Sequence, residues 1–213
     1  MEIAYLGHSS FKLKGRGASV ITDPFGPSTG LKFPKVEADI VTVSHHHHDH
    51  NAVDLVGGNP FVISGPGEYE IKDVKLVGVA SFHDGKEGKE RGKNTIFNIR
   101  IDDLYICHLG DLGQASFTSA QLEEIGQVDI LLIPVGGTFT IDPAEAAKIT
   151  ASLEPKIVIP MHYFNPALKT KLEEAGKFLE EMGKENLAPQ QKVVITKDKL
   201  PEETEVILLE RKN

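Results

Sequence analysis

The chain is short of cysteine, of long apolar runs and of positive charge, and each shortage closes off a class of function. Cys107 is its only cysteine, so no intramolecular disulfide can form and nothing marks an oxidising compartment. No apolar stretch nears the roughly 18 residues that a membrane-spanning helix needs. The start, MEIAYLGHSSFKLKG, lacks the basic-then-apolar order of a secretory signal. A cytoplasmic protein is the expectation. Lys and Arg number 23 against 31 Asp and Glu, a net charge of −8 with His neutral. That balance disfavours wrapping nucleic acid, whose phosphates reward a clustered basic face.

What is present is ordinary globular material: 40% hydrophobic and 25% charged residues in 213. That suffices for a sizeable core and predicts a single domain over 1–213. The first half reads as short strands at 2–6, 10–13, 18–22, 39–43, 61–63, 74–80, 95–101 and 104–107, punctuated by Gly and Pro. In 95–101, Phe97, Ile99 and Ile101 alternate with Ile96, Asn98 and Arg100, which predicts one buried face. Helices enter later. Thr118 with Gln121, and Asp142-Pro143 with Glu145, read as helix starts, because a capping side chain and a partner three residues on satisfy the first free amides. A third helix is predicted from Asn165-Pro166, with Leu168, Leu172, Ala175, Leu179 and Met182 as one apolar stripe. Strands at 128–133, 156–159, 192–196 and 205–209 complete the pattern. The polar stretch 84–94, DGKEGKERGKN, reads as a mobile loop: a solvated hairpin tip or a flap over the site that His83 belongs to.

Five of nine histidines fall in Ser44-His45-His46-His47-His48-Asp49-His50. The run is internal, follows a predicted strand and closes on Asp-His, which separates it from a terminal tag. Imidazole with carboxylate suits Zn²⁺ and neighbouring first-row metals. Alone the run is a weak signal, but three further strand ends also offer ligand-type residues: His83, Asp111 and His162. His108, just before Gly110-Asp111, competes with His83.

These residues, with Tyr5-Leu6-Gly7-His8-Ser9-Ser10-Phe11, Thr22-Asp23-Pro24-Phe25 and Ile159-Pro160-Met161-His162-Tyr163, resemble the metallo-β-lactamase-fold superfamily of metal-dependent hydrolases. The likeness is to the branch that includes ascorbate-phosphate lactonase-like proteins. It spans residues 3–163 in order, on His45-x-His47-x-Asp49-His50 followed by His83, Asp111 and His162. The resemblance implies an α+β, four-layer αβ/βα sandwich with two divalent metal ions in a cleft at one edge of its two sheets. It implies that His45, His47 and His83 hold one ion and Asp49, His50 and His162 the other, with Asp111 bridging. His46 and His48 fall at variable positions. His8 is expected to contact substrate or to be a satisfied loop histidine, and Asp23 and His108 to orient ligands. Gly136, Gly137 and Thr138 are candidates for the pocket floor.

Two such metals would activate a water for attack, with Asp49 and Asp111 orienting it, so no side-chain nucleophile is required. The expected reaction is hydrolysis of an ester-like bond in a small molecule, a lactone or phosphodiester. Zn²⁺ is the leading metal, with Mn²⁺ or Fe²⁺ as alternatives. Rival readings are a nuclease of the same fold, disfavoured by charge; an iron redox protein; and a non-enzymatic metal-binding protein. A homo-oligomer is compatible with the sequence.

Overall fold

The computed structural model describes residues 1–212. The first strands are β1 (Glu2–Gly7), β2 (Ser10–Lys14), β3 (Ser19–Thr22), β4 (Val36–Glu37), β5 (Ile40–Thr42), β6 (Val56–Gly57) and β7 (Phe61–Ile63). They are followed by β8 (Gly67–Ile71), β9 (Val74–Phe82), β10 (Lys93–Ile101) and β11 (Leu104–His108). Helices then alternate with strands: α1 (Ser119–Ile125), β12 (Ile130–Pro134), α2 (Pro143–Leu153), β13 (Ile157–Met161) and α3 (Ala175–Glu181). Strands β14 (Val193–Val194) and β15 (Glu205–Val206) come last. One sheet runs β14-β1-β2-β3-β5-β7, a second runs β15-β13-β12-β11-β10-β9-β8, and β4 pairs with β6.

The two sheets face each other across one core. Ile3, Phe11 and Leu13 from the first meet Phe97, Ile106 and Ile130 from the second, all essentially without exposure. The far side of the second sheet packs on the three helices, through Ile96, Leu131 and Val158 against Ile125, Ile149 and Phe178. The far side of the first sheet, with Ile21 and Val41, lies under Val36, Ala38 and Val56. The α+β sandwich therefore has its outer helical layer on the second sheet, and extended chain around β4 and β6 covers the first.

Both anticipated helix starts form as reciprocal capping boxes, Thr118 with Gln121 and Asp142 with Glu145. Strand β10 departs from expectation because both its faces are covered. Phe97, Ile99 and Ile101 enter the inter-sheet core, while Ile96 and Asn98 are buried under α1. Asn98 is accommodated there by donating to the carbonyls of Ile125 at 2.6 Å and Gln127 at 2.9 Å.

The third helix is shorter than its stripe suggests: only Ala175–Glu181 is helical. In the segment before it, backbone amides are committed to long-range partners. Lys169 donates to the Thr29 carbonyl and Glu173 to the Gly136 carbonyl, at 2.9 and 2.8 Å. These bonds compete with helix formation and win. The last two strands are likewise shorter than predicted, each pairing at two positions along a sheet edge.

Strand direction positions the site. β1, β3 and β5 run the same way, as do β9, β11, β12 and β13. Their C-terminal ends gather at one edge of each sheet, where side chains from separate strands converge.

Candidate metal centre

Every singled-out ligand-type residue except His46 and His48 gathers at that edge. Asp23 follows β3, and its amide donates to the Thr42 carbonyl at 2.9 Å, locking the ends of β3 and β5 together. From β5 the chain enters the histidine run. The Asp23 carboxylate receives the Ser44 amide at 2.7 Å, the Ser44 hydroxyl at 2.5 Å and His50 Nδ1 at 2.9 Å. The Ser44 hydroxyl in turn lies 2.9 Å from His45 Nδ1. One fully buried carboxylate thus orients His50 directly and His45 through a serine.

Asp111 is the hub. Its Oδ2 lies 3.2 Å from His50 Nε2, 3.4 Å from His83 Nε2 and 3.3 Å from His162 Nε2. The Ser9 hydroxyl donates to the other oxygen, Oδ1, at 3.3 Å, and the Asp111 amide donates to Asn94 Oδ1 at 3.0 Å. Gly110 makes this approach feasible. Its φ is +58°, and a Cβ there would stand 2.4 Å from Asn94 Oδ1 and 2.5 Å from Ser44 Cβ.

Two histidine trios flank the hub, each with ring nitrogens within 4.8 Å of one another: His45, His47 and His83, and His8, His50 and His162. His46 and His48 are exposed and belong to neither. His8 is the addition. Its Nε2 lies 3.2 Å from Asp49 Oδ2, which is 3.9 Å from His50 Nε2, so His8 braces Asp49 beside the second trio. The His8 carbonyl accepts from the His162 amide and the Tyr5 hydroxyl, both at 2.8 Å. His108 is fully buried and touches neither trio. Its Nε2 meets the Ser9 carbonyl at 2.8 Å and its Nδ1 accepts from the Gly110 amide, so it positions the loops carrying Ser9 and Asp111. Gly136 abuts His162, since a Cβ there would lie 2.1 Å from its carbonyl.

Four residues at the same edge hold left-handed backbone. His8, Asp23, Thr138 and His162 have φ of +56°, +36°, +58° and +51°. Such left-handed residues cost roughly 1–3 kcal/mol each and persist where surrounding bonds over-determine them. Nothing in the sequence signals this, nor the parts played by Ser9, Asn94 and, through Asp23, Ser44, whose partners there are remote in the chain.

Electrostatics divide the histidines. Burial pushes His45 and His162 down to about 3, and His83 and His108 also downward, so these rings are neutral and keep a lone pair at neutral pH. Burial opposes charge on His50 too, but Asp111 and Asp23 outweigh it and raise the ring well above its usual value. Burial would raise Asp111, but His162 and His50 hold it well below the carboxylate range. Asp49 is lowered in the same way, against burial, by His8 and His50.

The loop after β9 is ordered, contrary to the mobility its composition suggests. The buried Asp84 carboxylate accepts the amides of Lys86, Gly88, Glu90 and Arg91, at 2.7–3.0 Å. Around His45 and His47 the loop helps to wall a cleft of about 390 Å³. Cys107 is buried, and burial pushes its thiol far above the usual range.

A family model for the β-lactamase superfamily domain matches residues 2–162. The chain belongs to the metallo-β-lactamase superfamily. Among its relatives is a UPF0173 metal-dependent hydrolase of Thermococcus onnurineus, 32% identical over 190 residues covering 76% of this chain and 84% of the relative. Another, from Pelotomaculum thermopropionicum, is 32% identical over 200 residues with the same coverages. A crystal structure from Thermotoga maritima, solved as a candidate Zn-dependent hydrolase of the superfamily, is 39% identical. It covers 98% of this chain and 97% of its own, with a TM-score of 0.78. The chain is thus one of the superfamily's metal-dependent hydrolases. Among the described residues no helix is long and apolar enough to cross a membrane.

Proposed function

We propose that the protein is a dinuclear hydrolase acting on an ester-like bond of a small molecule, a lactone or phosphodiester, with Zn²⁺ as the leading metal. In this reading His45, His47 and His83 would hold one ion, Asp49, His50 and His162 the other, and Asp111 would serve both. The observation that carries it is the crowding of three Nε2 atoms within 3.2–3.4 Å of one Asp111 oxygen, all from remote strand ends. Ligands of a tetrahedral zinc, each about 2.0–2.2 Å from it, stand roughly 3.3–3.6 Å apart. The donor set also fits: His45 Nε2 is a buried ring nitrogen without a hydrogen-bond partner among the described residues, while its Nδ1 is braced by Ser44.

When bound, two divalent ions supply Lewis-acid polarisation of the oxygen under attack and lower the pKa of a coordinated water towards about 7. The chain supplies the rest. Asp111, with Oδ1 bonded to Ser9, keeps Oδ2 for the centre. Asp49 is the partly exposed carboxylate at the centre, and with Asp111 we assign it to orient the attacking water. His8 holds Asp49 in place, and Asp23 fixes the rings of His50 and, through Ser44, His45. We also infer that 1–213 acts as one domain: the family match stops at 162, yet the remainder returns β14 to β1 and β15 to β13.

Metal per chain and turnover on lactone and phosphodiester panels test the reading. The wild type is expected to carry about two ions and to hydrolyse a member of a panel, and Asp49→Ala and Asp111→Ala to lose nearly all of that turnover. Full-rate hydrolysis in both variants overturns it.

A further inference from the structure

We propose that Arg91 and Lys93 form an anion-recognition wall, so that the substrate carries a carboxylate or phosphate group besides the bond that is cleaved. This rests on the hydrolytic reading above. The cleft beside the first trio is lined by His45, His46 and His47 together with Arg91 and Lys93. None of its lining residues is acidic, in a chain where acidic residues outnumber basic ones by 31 to 23. Other depressions on the surface mix signs: one beside β2 and β9 sets Arg16, Lys72 and Arg100 among Glu70, Asp73 and Asp102.

Charge pairing within the loop separates its cations in the same way. Lys86 pairs with Glu90 at 2.6 Å and Lys89 with Glu87 at 3.8 Å. Among the described residues no carboxylate stands within 4.0 Å of Arg91 or Lys93, the two cations that face the cleft. Arg91 is also held in position. Its amide is tied to the Asp84 carboxylate at 2.7 Å, and its guanidinium lies 3.9 Å over the Phe139 ring. Stacking on an aromatic face leaves the in-plane N–H groups of the fork available for an oxyanion. Lys93 opens β10, and Thr95, two residues on, lines the cleft as well, with its amide bonded to the Ser44 carbonyl. The rigid frame that sets the histidine run thus also sets the distance from the trio to the two cations.

The test compares two esters that share a leaving group, 4-nitrophenyl acetate and the anionic mono-4-nitrophenyl succinate, in the metal-replete protein. The wild type is expected to favour the succinate at least tenfold in kcat/KM. In Arg91→Gln/Lys93→Gln that preference collapses towards one through a higher KM for the succinate. Lys86→Gln/Lys89→Gln, which removes the paired cations of the same loop, keeps the preference. An equal preference in the wild type and the Arg91/Lys93 variant overturns the proposal. Calorimetry with the amide analogue succinanilic acid keeps it decidable if neither ester is cleaved: the hydrolytic reading is then decided by its own lactone and phosphodiester panels, while the wall stands or falls on whether the wild type binds and the double variant does not. Inorganic phosphate and acetate as competitors of that binding identify the group. Stronger competition by phosphate marks a phosphate site, stronger competition by acetate a carboxylate site, and competition by neither overturns the wall.

Discussion

The two histidine trios differ in how they are held. His8, His50 and His162 are all buried. They are tied into the frame by Asp23 on His50, Asp49 on His8 and the His8 carbonyl on the His162 amide. In the other trio His47 is exposed and faces the cleft. His45 there is reached by Asp23 only through Ser44. The comparison teaches a division of labour: one side is a rigid anchor, the other opens to whatever enters the cleft. It also implies that Asp23 supports both sides unequally.

The largest expected effect comes from removing that support. Asp23→Ala strands the buried Ser44 amide and frees the His50 ring, and loss of such an outer partner typically lowers metal affinity about 10–100-fold. Ser44→Ala is expected to do less, weakening only the site that contains His45. Metal titrations followed as two binding steps distinguish them: Asp23→Ala should weaken both steps, and Ser44→Ala one. Equal losses in both variants would break the contrast between the trios.

Gly110 is next in size. An added methyl at φ +58° would collide with Asn94 and Ser44, both buried and hydrogen-bonded. Gly110→Ala is expected to destabilise by about 1–3 kcal/mol through overpacking, read as a fall in the urea midpoint. It should also displace Asp111 from both trios together. An unchanged midpoint would mean that the hub tolerates movement.

How much of this was legible in the sequence follows the range of the interactions. His45, His47, Asp49 and His50 sit together in the chain, and strand ends mark His83, Asp111 and His162, so the list of gathered residues could be read off. The capping boxes at Thr118 and Asp142 are local and were equally readable. The contact of His8 with Asp49 spans 41 residues and that of Ser9 with Asp111 spans 102, and no local pattern encodes either. The helix predicted from Asn165 is cut short for the same reason: its stripe is genuine, but the amides of Lys169 and Glu173 are drawn to Thr29 and Gly136. Composition misled most at 84–94, where the polarity that suggests mobility includes the one carboxylate that prevents it.

That carboxylate yields the smallest effect and the finest probe of the open trio, because His83 begins the loop and its amide bonds to the Gly92 carbonyl that ends it. Burial would raise the Asp84 carboxyl, but the amides of Arg91, Lys86, Glu90 and Gly88 lower it from 3.8 to about 2. A depressed carboxyl favours the folded state whenever it is ionised. Its contribution is therefore complete above roughly pH 4 and is lost as pH falls through 2. Asp84→Asn keeps the shape and removes the charge. The variant should unfold at lower temperature than the wild type at pH 6, and the gap should narrow below pH 4 and nearly close at pH 2. Because the loop walls only the open trio, metal binding at the site of His50 and His162 should be unchanged in the variant. A gap that stays constant from pH 6 to pH 2 would show that hydrogen-bond geometry, without charge, orders the loop, and would leave the rigidity of the cleft wall to be explained by the stacking of Arg91 on Phe139.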